Sequence, residues 1–96
     1  MFSISDEQLA VVKSILKKYV PDMEVRVFGS RVTGKAKFYS DLDLALVGKS
    51  KISVKTLSQL SGAFQESDLS IRVDILDWHK ISDEFKKVIE KTYVAL

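Results

Sequence analysis

The sequence predicts an α/β (α+β) fold, a small three-stranded mixed sheet flanked by about four helices. Helical and strand periodicities alternate along the chain as α-β-α-β-α-β-α. Three short apolar runs, at residues 24–28, 41–47 and 70–76, have strand length and turn residues around them. The 96 residues contain no repeat, low-complexity segment or internal linker, so residues 1–96 are expected to form a single domain.

Each element has a local cause. Ser5-Asp6-Glu7-Gln8 is a capping-box start, with Ser5 at the N-cap and acids in the first turn. Leu9, Val12, Ile15, Leu16 and Tyr19 follow at helical spacing, and Pro21 ends a helix over residues 6–19. Residues 24–28 alternate, with Val25 and Val27 on one face and Glu24, Arg26 and Phe28 on the other. A short helical turn over residues 31–35, N-capped by Ser30, and a loop through Phe38, Tyr39 and Ser40 lead to a strand over residues 41–47. Gly48 and the polar Lys49, Ser50 and Lys51 turn the chain. Val54, Leu57, Leu60, Ser61 and Phe64 form one stripe of a helix over residues 53–66. Residues 70–76 alternate strictly as the third strand, with Arg72, Asp74 and Leu76 facing away from Ile71, Val73 and Ile75. A last helix starts near Ser82, with Phe85, Val88, Ile89 and Tyr93 as its buried face.

Bulk properties narrow the function. The chain is 46% apolar and 29% charged, which is ordinary for a soluble globular domain. A net charge of +2 gives no footprint for nucleic acid. Without cysteine there are no disulfides or thiolate metal sites, which fits the cytoplasm. The N-terminus lacks the basic and apolar segments of a signal peptide, and no apolar run approaches the roughly 20 residues that span a bilayer.

The chemistry concentrates in GSRVTGKAKFYSDLD, from Gly29 to Asp43. On a strand Asp41 and Asp43 share a face, with Cα atoms roughly 6–7 Å apart. Two carboxylates at that separation repel by roughly 2–3 kcal/mol at an effective dielectric near 20. A cation between them relieves that cost, and Mg²⁺ takes one or two carboxylates plus substrate phosphates. At the other end of the stretch, Gly29 allows a backbone approach that no side chain blocks. Ser30 caps a helical turn whose N–H groups suit phosphate, with Arg31, Lys35 and Lys37 supplying mobile positive charge. Together these read as a nucleoside-triphosphate site. If the second and third strands are neighbours, Asp74 joins Asp41 and Asp43, and three carboxylates with two Mg²⁺ make a two-metal clamp.

Gly29-Ser30, ten residues, Asp41-Leu42-Asp43, then Asp74 on a later strand resembles the polymerase-beta-type nucleotidyltransferase superfamily. The nearer match is its minimal nucleotidyltransferase branch, with the motif Gly-Ser, ten residues, Asp-x-Asp, and Arg31, Gly34 and Ala36 also fit. The resemblance covers essentially the whole chain. It implies that Gly29 and Ser30 hold the triphosphate of ATP or another NTP, with Arg31 and Lys35 also binding nucleotide. Asp41 and Asp43 would bind the metals, and Asp74 would hold the catalytic metal and help deprotonate an acceptor hydroxyl. Val32 and Thr33 depart from the family form, which often carries a basic residue there, and Lys35 is the substitute at hand.

The resemblance also implies an antitoxin paired with a small all-helical HEPN-type toxin, silenced by transfer of AMP to a tyrosine. So short a chain leaves little for an acceptor-binding domain, so another chain is expected to present the acceptor, in a homo- or hetero-oligomer. Two alternatives differ in class: a catalytically idle antitoxin that neutralises by binding, and a nucleotidyltransferase acting on a small molecule within an oligomer. A phosphatase reading with Asp41 as nucleophile leaves Gly29-Ser30 unexplained. Asp68 and Asp77 read as structural acids, His79 as packed or at the surface, and Trp78 as core. Phe38 and Tyr39 read as base-stacking, partner-docking or simply packed.

Overall fold

Ser5 starts the first helix as its sequence predicts. Its hydroxyl accepts from the Gln8 amide at 3.1 Å, and its own amide donates to Gln8 Oε1 at 3.3 Å. In the computed structural model, which describes residues 4–37 and 40–96, this helix is α1 (Asp6–Tyr19). After it come β1 (Glu24–Phe28), α2 (Ser30–Thr33), β2 (Leu42–Val47) and α3 (Val54–Glu66). The chain continues with β3 (Val73–Asp77), a 3-10 turn (Trp78–Lys80), α4 (Asp83–Lys91) and β4 (Val94–Ala95).

The strands form one mixed sheet in the order β3-β2-β1-β4. β1 is antiparallel to both β2 and β4, whereas β2 and β3 are parallel, so their connection needs a crossover, which α3 provides. β2 lies inside the sheet. Leu42, Leu44 and Leu46 point to one face and are fully buried. Val25 and Val27 of β1 join them under α1 and α3, against Val12, Leu16, Leu60 and Phe64. Each such leucine, taken fully out of water, stabilises the fold by about 1.5–3 kcal/mol. Because strand side chains alternate, burying the leucines sends Asp43 to the opposite face. The core thereby positions the acid.

The strand count is corrected from three to four. Thr92 ends α4, and Val94 and Ala95 pair with Val27 and Arg26. This two-residue edge strand is too short for alternation to reveal. β3 is also shorter at its start than the alternation over residues 70–76 predicts. β2 begins at Leu42, which stands opposite Val73, so Ser70 and Ile71 have no strand beside them.

The second face of the sheet is only partly covered. Phe85 of α4 packs edge-on against Phe28, with ring centroids 5.8 Å apart. The Arg26 guanidinium lies over the rings of Trp78 and Tyr93, at 4.8 and 4.6 Å. With Arg26 occupying this face, α4 buries Ile89 alone. Phe85, Val88 and Tyr93, expected in the core, remain 36%, 60% and 37% exposed. Val54, expected on the buried stripe of α3, is 78% exposed because it sits in the first turn, beside its Ser53 cap.

Candidate functional site

β1 ends at Phe28, and Gly29 turns the chain with φ 83° and ψ −159°. That conformation belongs almost exclusively to glycine. A second reason for glycine lies across the sheet, where a Cβ at this position would overlap Oδ2 of Asp43. Gly29, rather than Ser30, is the N-cap of α2, and Ser30 is its first residue. The Gly29 carbonyl accepts from the amides of Val32 and Thr33 at 3.0 and 3.1 Å. No side chain caps the first turn. Gly34 closes α2 in the left-handed region at φ 82°, and its amide bonds the Ser30 carbonyl.

The acids converge through the sheet register. Asp43 stands opposite Phe28 on one side and opposite Asp74 on the other. Adjacent strands are about 4.8 Å apart, so the two aspartates are immediate neighbours. Asp41 lies two residues before Asp43, just ahead of β2, and is half-buried, while Asp74 is exposed. The Asp43 carboxyl is pushed above the usual carboxylate range, first by burial, then by the charges of Asp74 and Asp41. Among the described residues no side-chain cation pairs with any of the three.

These residues fit Mg²⁺ by chemistry and charge: all three offer hard carboxylate oxygens, and the crowding at Asp43 is what a cation relieves. Among the described residues, no three acidic or imidazole side chains are drawn together as a ready ligand cluster. Mg²⁺ does not need one, because it keeps waters and takes substrate phosphate oxygens alongside one or two carboxylates.

The cations divide. Lys35 and Lys37 are exposed, whereas Arg31 is buried at 7% exposure. Its Nε and Nη2 donate to the Ser40 carbonyl at 3.0 and 2.6 Å. Arg31 is therefore not the mobile charge its sequence position suggests. Ser40 is a loop anchor that sequence reasoning missed. Its hydroxyl accepts from the Lys37 amide at 2.8 Å, and its amide donates to the Lys37 carbonyl at 3.0 Å. No residue spacing announces such an anchor. Phe38 and Tyr39 lie outside the described residues.

Asp77 and His79 are structural residues, as their sequence settings suggest. Asp77, 3% exposed, accepts from the amides of Ile52 at 2.7 Å and His79 at 3.0 Å. The His79 ring bonds the Gly48 carbonyl at 2.6 Å. Both clamp the turn after β2. A cleft of about 190 Å³ borders Asp74, between α3 and the β3 edge. A larger one, about 560 Å³, lies between α1 and α3, behind the core and away from the acids.

Residues 11–96 match the family model described as "Polymerase beta, Nucleotidyltransferase". The chain belongs to the polymerase beta nucleotidyltransferase family. Over 93 residues it is 50% identical to the "Probable protein adenylyltransferase MntA" of Haemophilus influenzae, covering 97% of this chain and 82% of that protein. As a member of the family it is a nucleotidyltransferase. Two solved structures share its fold. One, "Crystal structure of the toxin-antitoxin with AMP-PNP", aligns with a TM-score of 0.75 at 20% identity, over 90% of this chain and 69% of that one. The other, a toxin-antitoxin MntA-HpeT structure carrying Y104A, aligns with a TM-score of 0.73 at 19% identity, over 98% and 72%. The helices and four-stranded mixed sheet of this chain make a nucleotidyltransferase-like fold. Among the described residues no helix is long and apolar enough to cross a membrane.

Proposed function

We propose that this chain is a Mg²⁺-dependent adenylyltransferase that moves AMP from ATP onto a hydroxyl of a partner protein. On this reading it is the cytoplasmic antitoxin of a toxin–antitoxin pair, acting as a single domain on a small all-helical toxin. The observation that carries the reading is Asp43 in register with Asp74, beside Asp41 and against Gly29. The half-identical relative named as a probable protein adenylyltransferase supports AMP and a protein acceptor.

In the mechanism, the bend at Gly29 and Ser30 receives the triphosphate, and exposed Lys35 adds positive charge. Asp41, Asp43 and Asp74 would hold Mg²⁺, which would supply charge stabilisation for the attacking and leaving oxygens. Asp74, exposed on an edge strand, is the carboxylate that an acceptor from another chain reaches, and its oxygen takes the proton that the hydroxyl gives up. The acceptor oxygen bonds to the α-phosphorus while the bond to the bridging oxygen of pyrophosphate breaks.

Purified chain, α-labelled ATP, Mg²⁺ and the product of the adjacent gene should yield a labelled partner, with the label lost in Asp43→Asn. No label with any NTP removes the enzymatic reading. A second reading, neutralisation by binding alone, is favoured by the exposed Phe85, Val88 and Tyr93. It predicts that a double Asp41→Asn, Asp43→Asn variant still rescues growth.

A further inference from the structure

We propose that Arg31 is a positioning residue, which holds the loop carrying Asp41 instead of meeting the phosphates of the nucleotide. The inference rests on the adenylyltransferase reading and assigns this cation a different task within it.

Three observations carry it. Arg31 is the only buried basic side chain among the described residues, at 7% exposure. Burying a guanidinium is unfavourable unless its donors are met, and here Nε and Nη2 both point to the carbonyl of Ser40. Ser40 immediately precedes Asp41, so the bonded carbonyl belongs to the peptide unit that joins Ser40 to Asp41. On the other side of Asp41, the Leu42 amide donates to the Arg72 carbonyl at 2.9 Å. Asp41 is thus bracketed by two backbone anchors. Arg31 itself stands two residues after Gly29, which lies against Asp43. One side chain therefore spans the nine residues between the phosphate bend and the carboxylates, and fixes their separation.

The planar fork matters as much as the charge. A guanidinium presents two parallel donors to one acceptor region, whereas a lysine ammonium is a shorter, rounder point charge. A cation that met phosphate in solvent would tolerate Arg31→Lys. A cation that holds a buried carbonyl through two nitrogens would not.

The test uses the full chain with Arg31→Lys and Arg31→Gln. Amide hydrogen exchange of the unliganded protein should quicken at Ser40, Asp41 and Leu42, by about tenfold in both variants, with β1 and α1 unchanged. Affinity for a fluorescent ATP analogue should stay within about threefold of wild type. In AMP transfer, kcat should fall by at least about tenfold while the KM for ATP stays within about threefold, and lysine should not restore it. If Arg31→Gln fails to fold, Arg31→Lys alone decides. An unchanged exchange pattern, or a raised KM that lysine restores, overturns the proposal. A wild-type chain that transfers nothing overturns the adenylyltransferase reading instead, and hydrogen exchange still judges the anchor.

Discussion

Asp43 and Gly29 are in contact across the sheet, the carboxylate of one filling the space where the other lacks a side chain. Gly29→Ala therefore meets both a glycine-only backbone conformation and an occupied volume. We expect a loss of roughly 2–4 kcal/mol in urea unfolding, since strained φ/ψ alone costs about 1–3 kcal/mol. Turnover of the folded fraction should collapse as well, because the alanine methyl displaces the carboxylate.

Asp43 also makes the free protein less stable than it need be. Its folded-state carboxyl is raised above the ordinary value, so folding disfavours the ionised form. That penalty is present above the folded pKa and is relieved as pH falls through it. Asp43→Asn should thus raise the Tm at neutral pH while abolishing transfer. A calorimetric scan showing Asp43→Asn equal to or below wild type at pH 7 contradicts this account.

Metal should reverse the penalty. A ligand that binds only the folded state at about 100 times its Kd stabilises by roughly 2.7 kcal/mol. Mg²⁺ should therefore raise the wild-type Tm and a chelator should restore the lower value, with little response in Asp41→Asn or Asp43→Asn. Thermal scans over a Mg²⁺ series check this without any turnover.

Asp77 tests whether burial and function separate. Asp77→Ala strips the Ile52 and His79 amides of their acceptor, and an unmet buried donor costs about 1–3 kcal/mol. Denaturant unfolding should show a loss in or slightly above that range, with kcat per folded molecule near wild type.

Val88, 60% exposed, should tolerate Asp with a stability change within about 0.5 kcal/mol. If a partner docks on this side of α4, Val88→Asp lowers partner labelling while nucleotide binding persists.

Local rules explain why so much of the site was legible beforehand. Capping at Ser5 and alternation in β2 are written in adjacent residues, and the same alternation places Asp43 opposite the leucine face. Asp74 needed one further premise, that β2 and β3 are neighbours, which the ladder supplies. The rest depended on tertiary context. The sequence suggests mobile charge at Arg31 because nothing near it says that Ser40 will receive its guanidinium. The helical stripe predicts Val88 and Tyr93 on a buried face, but a stripe tells which side is apolar, not whether anything covers it. β4 escaped because two residues carry no period.

β3 is one of the two edge strands of the sheet and is bonded to β2 alone. Two of the three acids ride on or beside β2, an inner strand bonded on both sides, but the third is carried by an edge strand bonded on one side only. Fraying of that rim would silence the enzyme while the leucine core stayed intact, so loss of activity on warming should precede loss of the fold.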